Sequence, residues 1–209
     1  MLTINVIRRY FFGASLCFAF GLSALSNAAA ASLEDTAVFA GGCFWGVDAV
    51  FKHIKGVTDV VSGYSGGAAA TAHYEMVSQG NTGHAESVRV HFNPALVSYQ
   101  QLLRVFFAVA HDPTELNRQG PDAGSQYRSA IFYTGDEQRK TAQDYIRQLT
   151  AAHTFSDSIV TQVVPLQQFY PAEAHHQNYL ALHPLQPYIV FNDMPKLEHL
   201  REKFPALYR

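Results

Sequence analysis

Cys43 stands between a glycine pair and two large aromatics, in Gly41-Gly42-Cys43-Phe44-Trp45-Gly46. A thiol so placed could act as a nucleophile. Val47, Val50, Phe51 and Ile54 recur at the spacing of one helix face, so a helix follows it, and a short strand from Ala37 precedes it. Two glycines let the backbone turn tightly between them, and Gly56 stands where a left-handed C-terminal cap would sit. This places Cys43 in the first helical turn, where free amides and the macrodipole favour an anion. The thiol is therefore expected to ionise more readily than a free one. A lone cysteine more often packs as a small hydrophobe. The strand-to-helix turn, the glycines and the aromatic pair together favour chemistry here.

A second group is a carboxyl in an apolar pattern. Residues Ala85 to Phe92 alternate, and Glu86 falls on the face of Val88, Val90 and Phe92. A carboxylate on a buried face is costly unless paired or protonated. A register break or an exposed edge is the other reading of the pattern. If buried, Glu86 is expected to have a raised pKa and to carry a proton at neutral pH, as a general acid must. Tyr74 lies in a polar stretch between Thr71 and Gly83, and a long polar loop from His111 to Gln126 holds Asp122 and leads into Tyr127. Loops of that length in compact domains are more often functional than decorative. Phenols stay protonated at neutral pH, which suits Tyr74 and Tyr127 to holding an oxyanion-like atom.

These groups need a scaffold. Strands are expected at Val57–Gly63, Ala85–Phe92, Ser129–Tyr133 and Ile159–Val164. Helices are expected from the Ser98 cap to Ala110, from an Asp136 cap to His153, over Ala172–Leu180 behind Pro171, and over Lys196–Lys203. Strands and helices mix without strict alternation, which makes the class α+β. A hydrophobic content of 48% suffices for one core.

The first 31 residues read as a leader. Arg8 and Arg9 precede an apolar run from Phe11 to Ala24, shorter than a bilayer span, and an A-x-A site follows. The expectation is a cleaved signal peptide over residues 1–31, a single domain over 32–209, and an exported, periplasmic or secreted product with no membrane attachment. Cys17, behind the bulky Leu16, is not a convincing lipidation site. Removal takes the formal charge from −2 to −4, and no basic stripe invites nucleic acid. Cys43 would then be the one cysteine, so an internal disulfide is excluded and the free thiol calls for a reason.

Gly42-Cys43-Phe44-Trp45-Gly46 resembles the nucleophile signature of the A-type peptide methionine sulfoxide reductases. The resemblance continues through Gly63-Tyr64-Ser65-Gly66-Gly67, Tyr74, Gly83-His84-Ala85-Glu86, His111-Asp112-Pro113, the run from Asp122 to Ser129, and Tyr170-Pro171-Ala172-Glu173. It implies a two-layer sandwich, with helices on a mixed sheet, a ferredoxin-like core and long irregular loops. It also implies that Cys43 attacks the sulfur of methionine-S-sulfoxide, free or in proteins. The oxygen leaves as water, methionine departs and Cys43 becomes a sulfenic acid. By the same resemblance Phe44 and Trp45 pack the substrate methyl group, Glu86 protonates the oxygen, Tyr74 and Tyr127 hydrogen-bond it, and Asp122 positions the polar groups. Many relatives carry resolving cysteines near the C-terminus, and this chain has none there. The sulfenic acid is then expected to be reduced by an external thiol of thioredoxin, glutaredoxin or dithiol type. No bound cofactor or metal is implied, and a monomer is expected.

A papain-like thiol hydrolase using Cys43, His176 and Asn192 is the alternative. It places a cysteine beside a tryptophan at a helix start, with histidine and asparagine far downstream. Here Phe44 intervenes before Trp45, and no Cys-Gly precedes the pair.

Overall fold

The protein is described by a computed structural model over residues 34–209, together with Leu2. The expected leader and Cys17 lie outside the described residues. The chain runs β1 (Asp35–Gly41), α1 (Phe44–Lys52), β2 (Val57–Ser65), α2 (Tyr74–Val77), β3 (Ala85–Phe92) and α3 (Tyr99–Val105). It continues through β4 (Arg118–Gln119), β5 (Asp122–Ala123), β6 (Ser129–Tyr133), α4 (Asp136–Ala151), β7 (Gln162–Pro165), β8 (Phe169–Pro171), α5 (Tyr179–Leu182) and α6 (Met194–Lys203).

Six strands form one sheet in the order β7-β6-β1-β3-β2-β8, and β4 pairs with β5 separately. β1 and β2 flank β3 antiparallel, and β6 joins β1 antiparallel. The series β1-α1-β2-β3-α3-β6 is thus the ferredoxin-like βαββαβ arrangement. β7 extends one edge in parallel with β6, which makes the sheet mixed, and β8 extends the other.

Alternation sorts the strands onto two faces. Phe39, Val88, Val90 and Ile131 pack under the helices, while Val38, Ala40, Ala130 and Phe132 form a smaller cluster on the other side. Phe39 stacks on Phe51 of α1 at 5.0 Å and on Phe106 at 4.9 Å. Burial of such a ring stabilises by roughly 1.5–3 kcal/mol, and here one ring ties two helices to β1. α3 begins at a capping box, with Ser98 accepting from the Gln101 amide, and ends in a widened turn, Phe106–Ala110.

Several local expectations are corrected. Asp136 lies inside the first turn of α4, with Gly135 at the cap. α1 stops at Lys52, so Gly56, with φ of +91°, serves the turn into β2 instead of capping the helix. The strand expected from Ile159 is shorter, Gln162–Pro165. The helix expected over Ala172–Leu180 does not form. Tyr170 pairs with Tyr64 at the sheet edge, and the Gln177 amide side chain bonds both backbone groups of Ser62. A short turn, Ala174–His176, follows, and Asn178 breaks the path with φ of +55°. The tethers of Ala172 and Gln177 to Ser62 and the left-handed Asn178 interrupt the helix along this stretch.

Candidate active site

The β1–α1 turn presents the cysteine. Gly42 has φ of +87°, and a β-carbon there would lie 2.5 Å from Gln119 Cβ, so only glycine fits. Gln119 is itself fastened to the backbone of Asp112 by two hydrogen bonds, of 2.7 and 3.0 Å. The long loop therefore folds back over the turn. Its β4–β5 hairpin carries Asp122 to the same place. Cys43 takes the N-cap position of α1, one residue before the first turn that the sequence suggested.

One cavity of about 170 Å³ is lined by Cys43, Phe44, Trp45, Tyr74, Glu86, Asp122, Tyr127 and Tyr188. Every residue that the reductase resemblance assigned to the site is among them. Glu86 is 2% exposed, on the helix-facing side of β3 as its alternation required. Its Oε2 accepts the Phe44 amide at 3.0 Å, so the carboxyl answers one of the free N–H groups that open α1. Trp45 stacks on Tyr179 at 3.7 Å and meets Tyr188 edge-on at 6.0 Å. Phe44 packs against Tyr64 and His176.

The phenols are anchored from behind. The Tyr74 amide donates to Glu173 Oε1 at 2.9 Å, and Tyr64 Oη donates to Glu173 Oε2 at 2.8 Å. Tyr127 closes a short turn fixed by Arg128, whose guanidinium bonds the carbonyls of Gly83, His84 and Ser125. That clamp joins the segment before Glu86 to the one bearing Tyr127. Tyr188 donates to Asp122 Oδ2.

Residues 35–207 match the profile described as peptide methionine sulfoxide reductase. The chain belongs to the peptide methionine sulfoxide reductase family. Among the reductase's relatives, the enzyme MsrA 2 of Mesorhizobium japonicum is 56% identical over 179 residues, spanning 86% of this chain and 92% of that one. An MsrA of Thermus thermophilus is 49% identical over 176 residues, spanning 84% and 98%. Among solved structures, reduced Mxr1 of Saccharomyces cerevisiae superposes with a TM-score of 0.69 at 32% identity, over 73% of this chain and 87% of that one. Methionine sulfoxide reductase A of Corynebacterium diphtheriae gives 0.65 at 33% identity, over 75% and 78%. The reductase is thus of the A type, an oxidoreductase that reduces methionine sulfoxide to methionine.

The electrostatics of the reductase site correct one expectation. Burial pushes the Cys43 thiol well above its ordinary pKa, and the Glu86 and Asp193 carboxylates add to this. The Trp45 amide and Lys196 act the other way without prevailing. A helix start alone favours a thiolate. Burial of Cys43, which is only 8% exposed, outweighs that preference and favours the neutral thiol. Burial also lifts Glu86 from 4.5 to about 8, against the Phe44 hydrogen bond and with help from Asp122. Burial raises Tyr74, Tyr127 and Tyr188 above the ordinary phenol range, so all three remain donors.

The hydrolase arrangement is not assembled. Both ring nitrogens of His176 lack a hydrogen-bond partner among the described residues, so it is bonded to neither Cys43 nor Asn192. Asn192 donates instead to the Tyr188 carbonyl at 3.0 Å. His176 is a packing residue, 4.4 Å from the Tyr74 ring. Tyr188 is the site residue that sequence reasoning missed. It lies in an apolar stretch without helical or strand period, and only its bond to Asp122 marks it out.

Proposed function

We propose that this reductase takes the S epimer of methionine sulfoxide, free or in proteins, and that Cys43 and Glu86 supply the two protons that turn its oxygen into water. Phe44 and Trp45 receive the methyl group, and Tyr74 and Tyr127 hold the oxygen, with Asp122 and Tyr188 steadying the polar side. The Cys43 sulfur attacks the substrate sulfur. Its proton and that of Glu86 pass to the oxygen, which leaves as water while a sulfur–sulfur bond forms. Water then attacks Cys43 Sγ, methionine departs with the electron pair of that bond, and the proton released restores Glu86. The net change is a thiol oxidised to a sulfenic acid and a sulfoxide reduced to a thioether. General-acid help of this kind is worth about 10²–10⁴-fold.

The observation that carries this reading is the buried Glu86 carboxyl, held by the Phe44 amide in the same cavity as Cys43 and the two phenols. With no second cysteine near the C-terminus, an external thiol condenses with the sulfenic acid, releasing water, and a second thiol displaces the mixed disulfide. The test uses separated sulfoxide epimers with dithiothreitol. Consumption of the S epimer alone is expected, and equal consumption of both refutes the assignment.

The leader reading is likewise a proposal: residues 1–31 direct export and are removed. The protein recovered outside the cytoplasm should begin near residue 31 or 32. A first residue of Met1 in that fraction refutes it.

A further inference from the structure

We infer that Lys52, at the far end of α1, is a positioning residue: through Asn178 it holds Tyr179 against Trp45 and so fixes the indole wall of the cavity. Trp45, Asp48 and Lys52 follow one another along one face of α1, about one turn apart. The ammonium of Lys52 donates to both carboxylate oxygens of Asp48, at 2.8 and 2.9 Å, and to Asn178 Oδ1 at 2.7 Å. Its three N–H groups thus have three acceptors. Asp48 is 2% exposed, so the lysine is anchored from the helix side and grips Asn178 from there. Asn178 has φ of +55°, a left-handed turn that asparagine tolerates better than most residues, and it sets the direction in which α5 starts. Tyr179, the next residue, lies on the indole of Trp45 at 3.7 Å with the ring planes 7° apart. The upstream end of the same segment is tied by Gln177 to Ser62. No polar bond fixes Trp45 itself, whose buried Nε1 has no partner among the described residues. Its ring is placed by packing, and Tyr179 lies closer to it than His176, Tyr188 or Phe44, at 5.9, 6.0 and 6.4 Å. A hydrogen-bonded lysine outside the cavity thereby sets the position of a ring inside it.

The consequence for the reaction rests on the reading that Trp45 receives the substrate methyl group. Trp45 is the one tryptophan of the chain, so its fluorescence reports the stack without substrate. Asn178→Gly keeps the left-handed turn and removes the acceptor. Acrylamide should then quench Trp45 more strongly. In single turnovers of the reduced protein, the half-saturating methionine sulfoxide concentration should rise about threefold, the loss of one exposed hydrogen bond. The maximal single-turnover rate should stay within about twofold, because wall contacts bind substrate and transition state alike. Asn178→Asp, which restores an acceptor, should return both readings toward the parent. In an Asp48→Asn/Lys52→Met background, which leaves no buried carboxylate unpaired, the glycine should add nothing. Unchanged quenching in N178G, or an undiminished glycine effect in that background, overturns the inference. Stronger quenching with unchanged half-saturation upholds the tether and refutes the methyl reading of Trp45 instead. Should the double variant not fold, N178D decides: quenching no nearer the parent than that of N178G overturns the inference.

Discussion

Serine in place of Cys43 abolishes reduction and makes the protein harder to melt. A hydroxyl is a far weaker nucleophile than a thiol, and in this cavity no neutral base stands ready to take its proton. The rate should fall by at least about 10⁴-fold, as when other enzymes lose a covalent nucleophile. The cavity walls do not depend on the sulfur, so methionine sulfoxide should still bind, as titration calorimetry would show. Stability moves the other way. Cys43 occupies an N-cap without a side-chain capping bond, whereas serine is among the preferred residues there. Its Oγ can accept an amide of the first turn, worth about 0.5–1 kcal/mol. A raised Tm beside lost turnover would show that sulfur at this cap is kept for chemistry. Residual turnover well above background would remove Cys43 from the mechanism.

Local pattern revealed much of this site because two of its members obey simple periodicities. The helix behind Cys43 and the face on which Glu86 lies both follow from apolar spacing; β3 keeps that face, and α1 forms there but ends at Lys52, short of Ile54. The N-cap at Ser98 is equally readable, and the structure adds the reciprocal Gln101 bond. The state of the thiol was not, because it depends on what closes over the turn. Gln119 and Asp193 are each more than 70 positions away in the chain. The failed helix over Ala172–Leu180 has a related cause. Its polar and apolar residues suit a helix, but Ala172 and Gln177 are tied to the backbone of Ser62 in β2, and Asn178 turns left-handed. Tyr188 follows from neither rule, since a tyrosine among apolar residues reads as packing until its hydroxyl is seen against Asp122. Most of the fold was thus legible from nearest neighbours. The charge balance of the site required the tertiary structure.

Glutamine in place of Glu86 should slow turnover by about 10²–10⁴-fold and stabilise the fold. The amide keeps an oxygen for the Phe44 N–H and loses the acidic proton. In the parent protein that proton is lost as pH rises through about 8, so kcat/KM should fall above that point. The variant should show no such step. The stability argument has a definite sign. Glu86 titrates near 4.5 when unfolded and near 8 when folded, so between these values the folded state binds the extra proton. Stability therefore falls with rising pH across this window, and at pH 7 the cost is roughly 3 kcal/mol. Glutamine does not titrate and escapes that cost. The two proteins should melt together below pH 4.5 and separate progressively up to about pH 8, with the variant higher. Calorimetric melts at intervals across that range decide it. A constant gap would mean that the carboxyl is not kept protonated by burial, and the acid in this cavity would have to be another group.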